Sequence, residues 1–266
     1  GFQRAEWENG VCNVGFISVS EAAAGESKLV PGGMTVVNAP VAQDAFGAAI
    51  EAYGWTDKLV YSLWCPSGLL SWRFKFEAIP ALAGGEIISA GSSVNGNVLV
   101  LGTSFGQIIE YDRTQRTNTP KQVIWDPAIT NPRDYGLVKI MMQSPNLGYA
   151  IFSRWRNFAT NDPSYIFKFD GVAWRQLNFT GATRGLPAQH FYGLDIDWTS
   201  PNRTVVISTD DKIYMSTDGG ASWTDQSDGL PRRAHIADVR FVSWPTAGRK
   251  FLVSTYGRGV WITNAP

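Results

Sequence analysis

A repeated unit ending in a Ser-x-Asp-x-Gly-x-Ser-Trp turn constrains this chain more than any other feature. Ser216, Asp218, Gly220, Ser222 and Trp223 stand in the octapeptide 216–223, which reads as a β-turn between two strands. Its glycines are free to take positive φ, and Asp218 is short enough to accept backbone N–H bonds across the turn. Trp223 is then placed to pack beneath it. The octapeptide closes the stretch YGLDIDWTSPNRTVVISTDDKIYMSTDGGASW, which begins at Tyr192. An earlier copy begins YGLVKIMMQSPNLGYAIFSR at Tyr135 and ends KFDGVAW, where Asp170, Gly171 and Trp174 make a degenerate version of the turn. A later copy follows Gly229-Leu230-Pro231, as the previous one follows Gly185-Leu186-Pro187, and reads IADVRFVSWPTAGRKFLVSTYGRGVWIT. Consecutive copies of such a unit are the signature of a repeat architecture.

The Ser-x-Asp-x-Gly-x-Ser-Trp pattern resembles the Asp-box (BNR repeat) of sialidases, xyloglucanases, sortilin-like receptors and photosystem assembly factors, all of them β-propellers. The resemblance covers roughly residues 85–266. It implies an all-β fold, a β-propeller of four-stranded antiparallel blades, with the box as a structural staple joining the two outer strands of a blade. It transfers no catalytic residue. No Arg-Ile-Pro motif stands near the N-terminus, no nucleophilic Tyr paired with a Glu can be assigned, and a xyloglucanase-type cleft needs two propellers.

Composition agrees with many short strands joined by tight turns. Only 17% of the 266 residues are charged, while 27 are Gly, 14 Pro and 11 Trp. The 44% hydrophobic content is enough for a core, and a formal net charge of zero gives no global attraction to nucleic acid or membrane. No run approaches the ~18 apolar residues of a membrane-spanning helix. Cys12 and Cys65 are the only cysteines, too few and too far apart for a zinc site. A disulfide between them and a pair of buried thiols both stay open. No metal and no cofactor is expected, no signal peptide is visible, and the expected setting is extracellular or surface-exposed.

Residues 1–266 read as a single propeller domain. Residues 1–15, with Ala5-Glu6-Trp7-Glu8-Asn9-Gly10, are expected to supply the outer strand that the last blade lacks after Thr263, removing an exposed sheet edge. Residues 16–57 depart from the repeat and read as a divergent blade with an insertion, in which 41–54 has the alanine content of a short helix. From Asp57 two alternating strands are split by Pro66-Ser67-Gly68, and 85–113 gives three more with a hairpin signal at Asn95-Gly96. Together with the three clear copies these make five or six blades, and six is the expectation.

In a four-stranded blade the connections alternate between two faces. Turns joining strands three and four share a face with those joining one and two. Loops joining two and three share the other with those leading to the next blade. The octapeptide is a three-to-four turn, so ligand loops are expected on the opposite face. That face gathers Arg133, Arg154, Arg156, Arg184, Arg232, Arg233 and Arg258 with His190 and His235, and its long loop 153–165 adds Trp155 and Phe158. Guanidiniums offer paired donors to carboxylate, sulfate or phosphate. Aromatic platforms beside them suit stacking on an anionic sugar or anchoring a protein contact. The candidate ligand-binding residues are therefore Arg154, Trp155, Arg156, Phe158, Arg184, Arg232, Arg233, Tyr256 and Arg258.

Three functions fit this pattern. The expectation is a non-catalytic recognition propeller that binds a glycan or other anionic ligand through these loops. The alternative is a structural or assembly subunit of an appendage, virion or photosystem-type complex, using the same face for a protein partner, with oligomerisation open. The third is a glycoside hydrolase of sialidase-like type, which needs two carboxylates at a defined separation. Asp197, Asp162 and Asp134 are the acids to test, whereas Asp195 aligns with Asp238 and Lys139 in the other copies and reads as scaffold.

Overall fold

The structure, a computed structural model, describes residues 2–8, 11–17, 31–37, 48–56, 59–66, 73–78, 88–94, 98–103, 106–112, 117–122, 135–154, 164–177, 186, 189–244 and 248–264. Among them every regular element is a strand, and every mapped strand pairing is antiparallel. No helix long and apolar enough to cross a membrane is found among the described residues. The chain divides into two compact units, residues 1–103 with 108–121 and residues 104–107 with 122–266.

In the first unit β1 (Phe2–Glu8) pairs with β2 (Val11–Ile17) in a two-stranded sheet. β3 (Pro31–Val37), β4 (Ala48–Thr56), β5 (Leu59–Pro66) and β6 (Arg73–Ala78) make a four-stranded sheet in chain order. β7 (Ile88–Val94), β8 (Val98–Thr103), β9 (Gln107–Asp112) and β10 (Thr117–Gln122) make another. The strand break after Pro66 and the Val94↔Val98 pairing around Asn95-Gly96 follow the sequence reading. Leu99 and Leu101 are fully buried on β8, an interior strand of its sheet.

One expectation is corrected here. The alanine-rich stretch expected to be helical contributes Ala48–Thr56 to a strand instead; residues 41–47 lie outside the described residues. β4 is an interior strand, with Ala52 opposite Val36 on one side and Leu63 on the other. A ladder on both edges satisfies its backbone more fully than a short isolated helix, which is marginal in water, could. Residues 1–15, expected to complete the last sheet, hold β1, which pairs with β2 from Phe2↔Ile17 through Glu8↔Val11. Cys12 lies on β2 and Cys65 on β5, and their side chains lie outside the described residues.

The second unit holds the clear repeats. β11 (Tyr135–Ser144), β12 (Leu147–Arg154), β13 (Tyr165–Phe169) and β14 (Trp174–Gln176) form one four-stranded sheet. β15 (Gly193–Asp197), β16 (Thr204–Ser208), β17 (Ile213–Ser216) and β18 (Thr224–Asp225) form the next. β19 (Ile236–Trp244), β20 (Gly248–Thr255) and β21 (Val260–Asn264) form a three-stranded sheet. The first strand of each sheet lies against the first strand of the next, β11 on β15 and β15 on β19.

The middle sheet is buried on both faces, and its sequence explains why. On one face Val205, Ile207 and Tyr214 pack with Tyr149, Ile151 and Ile166. On the other, Val206, Ile213 and Met215 pack with Ile236, Val239, Phe251 and Val253. A strand that feeds two cores cannot alternate apolar with polar, so Thr204–Ser208 is buried at every position. Where the first strands approach, Gly193 leaves room that a side chain would fill: a Cβ there would lie 2.7 Å from both Val239 N and Ser208 Oγ.

Polar groups lock the same sheets together. Buried Asp195 accepts bonds from Ile196 N–H at 3.0 Å and, across to β19, from Phe241 N–H at 2.7 Å. Asp238 in turn pairs with Lys139 of β11 at 2.7 Å. Asp195, Asp238 and Lys139, aligned in the repeat, are thus links between sheets, Asp195 joining β15 to β19 and the Lys139–Asp238 pair joining β11 to β19. Burial pushes the Asp195 carboxyl up, opposed by the two N–H donors and by Arg240 and Lys139.

The octapeptide joins β17 to β18. Ser216 Oγ donates to Asp218 Oδ1 at 2.7 Å and accepts from Gly220 N–H at 2.7 Å. Ser222 donates its N–H to Asp218 Oδ1 at 2.9 Å and its hydroxyl to Oδ2 at 2.6 Å. Gly219 and Gly220 take φ of 71° and 100°, conformations that suit glycine alone. Trp223 is buried in the core shared with the preceding sheet, and Tyr149 Oη of that sheet donates to Gly219 O at 3.3 Å. Asp170 holds the equivalent β13–β14 turn, accepting from Val172 N–H at 3.0 Å and Ala173 N–H at 2.9 Å, and Trp174 stacks on Phe169 at 5.2 Å.

Candidate functional site

Three connections of the second unit meet at one end of its last two sheets: 209–212 between β16 and β17, 226–235 between β18 and β19, and 256–259 between β20 and β21. Backbone bonds fasten them to each other. Ile236 N–H donates to Asp210 O at 2.7 Å, Tyr256 N–H to His235 O at 2.9 Å, and Tyr192 N–H, entering β15, to Ser208 O at 2.9 Å. Arg258 Nη1 donates to Arg232 O at 3.2 Å. The Thr255 hydroxyl and N–H both reach Gly259 O, closing the tight β20–β21 turn.

The 226–235 connection bends through two non-glycine residues in left-handed conformation, Arg233 at φ 55° and His235 at φ 46°. Such residues are strained and persist where surrounding bonds hold them. His235 is held through its carbonyl by Tyr256 and through Nδ1, which lies 3.0 Å from Asp210 Oδ1.

The resulting surface is cationic and aromatic. Arg232, Arg233 and Arg258 are exposed. Tyr256 is 68% exposed, Trp261 39% and Tyr192 36%. Trp261 Nε1 donates to Arg258 O at 3.1 Å, joining the aromatic strand position to the arginine loop. Burial, then the charges of Asp210 and Tyr256, push the Tyr192 phenol up, so it stays protonated and able to donate at neutral pH. Within this surface His235–Asp210 is an exposed pair, and among the described residues no hydroxyl or thiol hydrogen-bonds to His235. The arrangement can bind an anion or a carboxylate-bearing surface; it does not assemble an activated nucleophile. No group of three or more His, Cys, Asp or Glu converges among the described residues.

Four of the nine expected ligand residues, Arg232, Arg233, Tyr256 and Arg258, come together here. Arg154 ends β12 opposite Tyr135, and its side chain lies outside the described residues. Trp155, Arg156, Phe158, Arg184, Asp134 and Asp162 also lie outside them. Asp197 is placed at the opposite end of the sheet. It starts the β15–β16 turn, on the same side as the octapeptide, where Oδ1 accepts from Thr199 N–H at 3.0 Å and Thr199 Oγ1 at 2.6 Å. Its Oδ2 pairs with Arg249 at 2.5 Å. Partial burial alone would raise its pKa, but the Thr199 bonds and Arg249 outweigh it and hold the carboxyl below its ordinary range. Held in this way, the ionised carboxylate caps its turn and pairs with Arg249.

Sequence reasoning passed over Tyr192, Asp210 and Trp261. Tyr192 was hidden because it opens the repeat unit as Tyr135 does, and Trp261 because it reads as one more apolar strand residue.

No known protein family matches the sequence, and no curated protein matches it. Solved structures do. YCF48 bound to a D1 peptide superposes with a TM-score of 0.54 at 10% identity, over 89% of this chain and 63% of that one. A calcium-binding protein, regucalcin, from Agrobacterium tumefaciens superposes with a TM-score of 0.56 at 12% identity, over 89% of this chain and 71% of that one. This chain thus spans less than two thirds of the YCF48 structure. Both are propeller folds, and at these identities the likeness is one of fold: an all-β chain of antiparallel, mostly four-stranded sheets of propeller type.

Proposed function

We propose that this chain is a non-catalytic assembly module that binds a protein partner through the connections 226–235 and 256–259. The observation that carries the reading is the grouping of exposed Tyr256, Trp261 and Tyr192 with Arg232, Arg233 and Arg258, none of the three arginines having a carboxylate partner among the described residues. Trp, Tyr and Arg dominate the energetics of protein interfaces, because they bury much area for few rotatable bonds and still offer a polar handle. The YCF48 structure supports the reading by analogy of fold, since it holds a peptide. In this reading the octapeptide 216–223 is an Asp-box with a purely structural role, consistent with its bonds running within its own turn and to Tyr149 of the preceding sheet.

The test is a peptide array and an acidic-glycan array probed in parallel with the full chain and with Arg232→Ala/Tyr256→Ala/Arg258→Ala. Peptide binding by the parent that the variant loses, at unchanged Tm, is the expected result. Binding confined to acidic glycans and lost in the variant would replace the partner with a sugar ligand. Binding that survives in the variant would move the site away from these loops.

A further inference from the structure

Among the described residues the last sheet holds one strand fewer than the two before it, and its outer strand shows the consequence. Sheets β11–β14 and β15–β18 have four strands, whereas among the described residues β19–β21 has three. β13 and β17, the third strands of the two complete sheets, are buried at nearly every position. In β21, by contrast, Val260 is 60% and Ile262 53% exposed, beside Trp261. All its pairings run to β20, from Ser254↔Val260 to Lys250↔Asn264. Alternate N–H and C=O groups of β21 therefore point away from β20, on a side where no pairing is mapped among the described residues. Exposed sheet edges are ordinarily blunted by a lysine, a proline or a bulge, and Val260–Asn264 carries none.

Charge indicates which kind of strand would add there. In residues 229–266 the cations are Arg232, Arg233, Arg240, Arg249, Lys250 and Arg258, against one acid, Asp238. That acid is already taken by Lys139 and Arg240, and of the cations Arg249 is paired with Asp197 of β15, leaving Arg232, Arg233, Lys250 and Arg258 without a carboxylate partner among the described residues. The cations also bracket the edge: Arg258 precedes β21, and Lys250 sits opposite Asn264 at its far end and hydrogen-bonds to it. A second copy of this chain pairing β21 on β21 would bring like charges together, which disfavours it. Resting on the reading that the chain binds protein, we propose that β21 accepts an extended acidic peptide as the fourth strand of its sheet. Main-chain bonds would supply the grip, and alternate side chains the selectivity.

The probe is a fluorescein-labelled nine-residue peptide alternating valine with glutamate, titrated by anisotropy into the full chain. Its controls are the same peptide with lysine for glutamate, and the glutamate peptide with methylated backbone nitrogens. The protein variant is Ile262→Lys, at an exposed position, with Tm read beside binding; it blocks the edge while adding positive charge. The glutamate peptide should bind and slow amide exchange across 260–264. Both controls, and Ile262→Lys with the unmodified peptide, should bind about tenfold or more weakly, a loss of one factor of ten in Kd. Unchanged or tighter binding to Ile262→Lys, equal binding of the methylated peptide, or no binding by the parent chain overturns strand addition. The loop reading has its own readout in the Arg232→Ala/Tyr256→Ala/Arg258→Ala variant on the arrays, so either can fail alone.

Discussion

Asp218 fastens its turn with three hydrogen bonds, from Ser216 Oγ and from the hydroxyl and N–H of Ser222, and all three need the ionised carboxylate or are strongest with it. Partial burial pulls its pKa up, but Ser222 and Ser216 outweigh that and bring it from 3.8 down to about 2. A carboxyl whose folded pKa lies below its unfolded value stabilises the fold above the unfolded pKa and loses that contribution as pH falls through the folded one. Asp218→Asn should therefore lower stability near neutral pH by about 1 kcal/mol, the exposed bonds keeping the figure small. The deficit relative to the parent should shrink between about pH 4 and pH 2, which urea unfolding across that range would show. A constant deficit would mean the charge is irrelevant. Gly193 makes the opposite kind of demand, for space: the neighbour at 2.7 Å is Val239 N, a backbone atom in a paired strand that cannot swing aside. Gly193→Ala should cost about 1 to 3 kcal/mol, and an unchanged Tm would show that β15 and β19 are less closely apposed.

Elements that serve two cores are the least tolerant. Ile207 is fully buried on β16 between Tyr214 and Leu194, and Ile207→Ala should destabilise the chain by about 2 to 5 kcal/mol, read from the denaturant midpoint. A cost under about 1 kcal/mol would mean the site collapses around the missing atoms. Strands of this kind were legible in the sequence because the octapeptide and its degenerate copy at Asp170 and Trp174 fix where β17 and β13 end, and everything upstream falls into register. β4 was not legible: its alanines favour a helix locally, and only pairing with β3 and β5 makes the strand, information held by residues far along the chain. β10 was missed because Thr117–Gln122 contains Pro120, a residue that sheets accept at an outer edge, where β10 lies. The part of the arginine face that lies among the described residues was legible in the same way. The repeat told which connections share a face, and Arg232, Arg233, Tyr256 and Arg258 followed from that rule; the same rule puts Asp197, which ends β15, on the octapeptide's side, whereas its pairing with Arg249 is not visible in the sequence.

Over the whole molecule, 23 cations balance 23 acids, yet the balance is not local. Ion pairs such as Lys139–Asp238 and Arg249–Asp197 use up acids that lie near the last sheet, and Arg232, Arg233 and Arg258 are left exposed and without a carboxylate partner among the described residues. Charges in that state contribute little to folding, because the surrounding water screens them; they act on whatever approaches. Rim charges of this sort chiefly change association rates and salt dependence, and screening shortens to ~10 Å at 0.1 M and ~3 Å at 1 M salt. The affinity of the full chain for an acidic peptide should therefore fall as sodium chloride is raised from about 50 to 500 mM, mostly through slower association, while its Tm changes little. Arg232→Ala/Arg258→Ala should weaken binding at low salt and flatten that dependence, both readable by stopped-flow fluorescence. An affinity indifferent to salt would shift the weight of recognition from the arginines to the apolar edge at Val260 and Ile262, which screening does not touch.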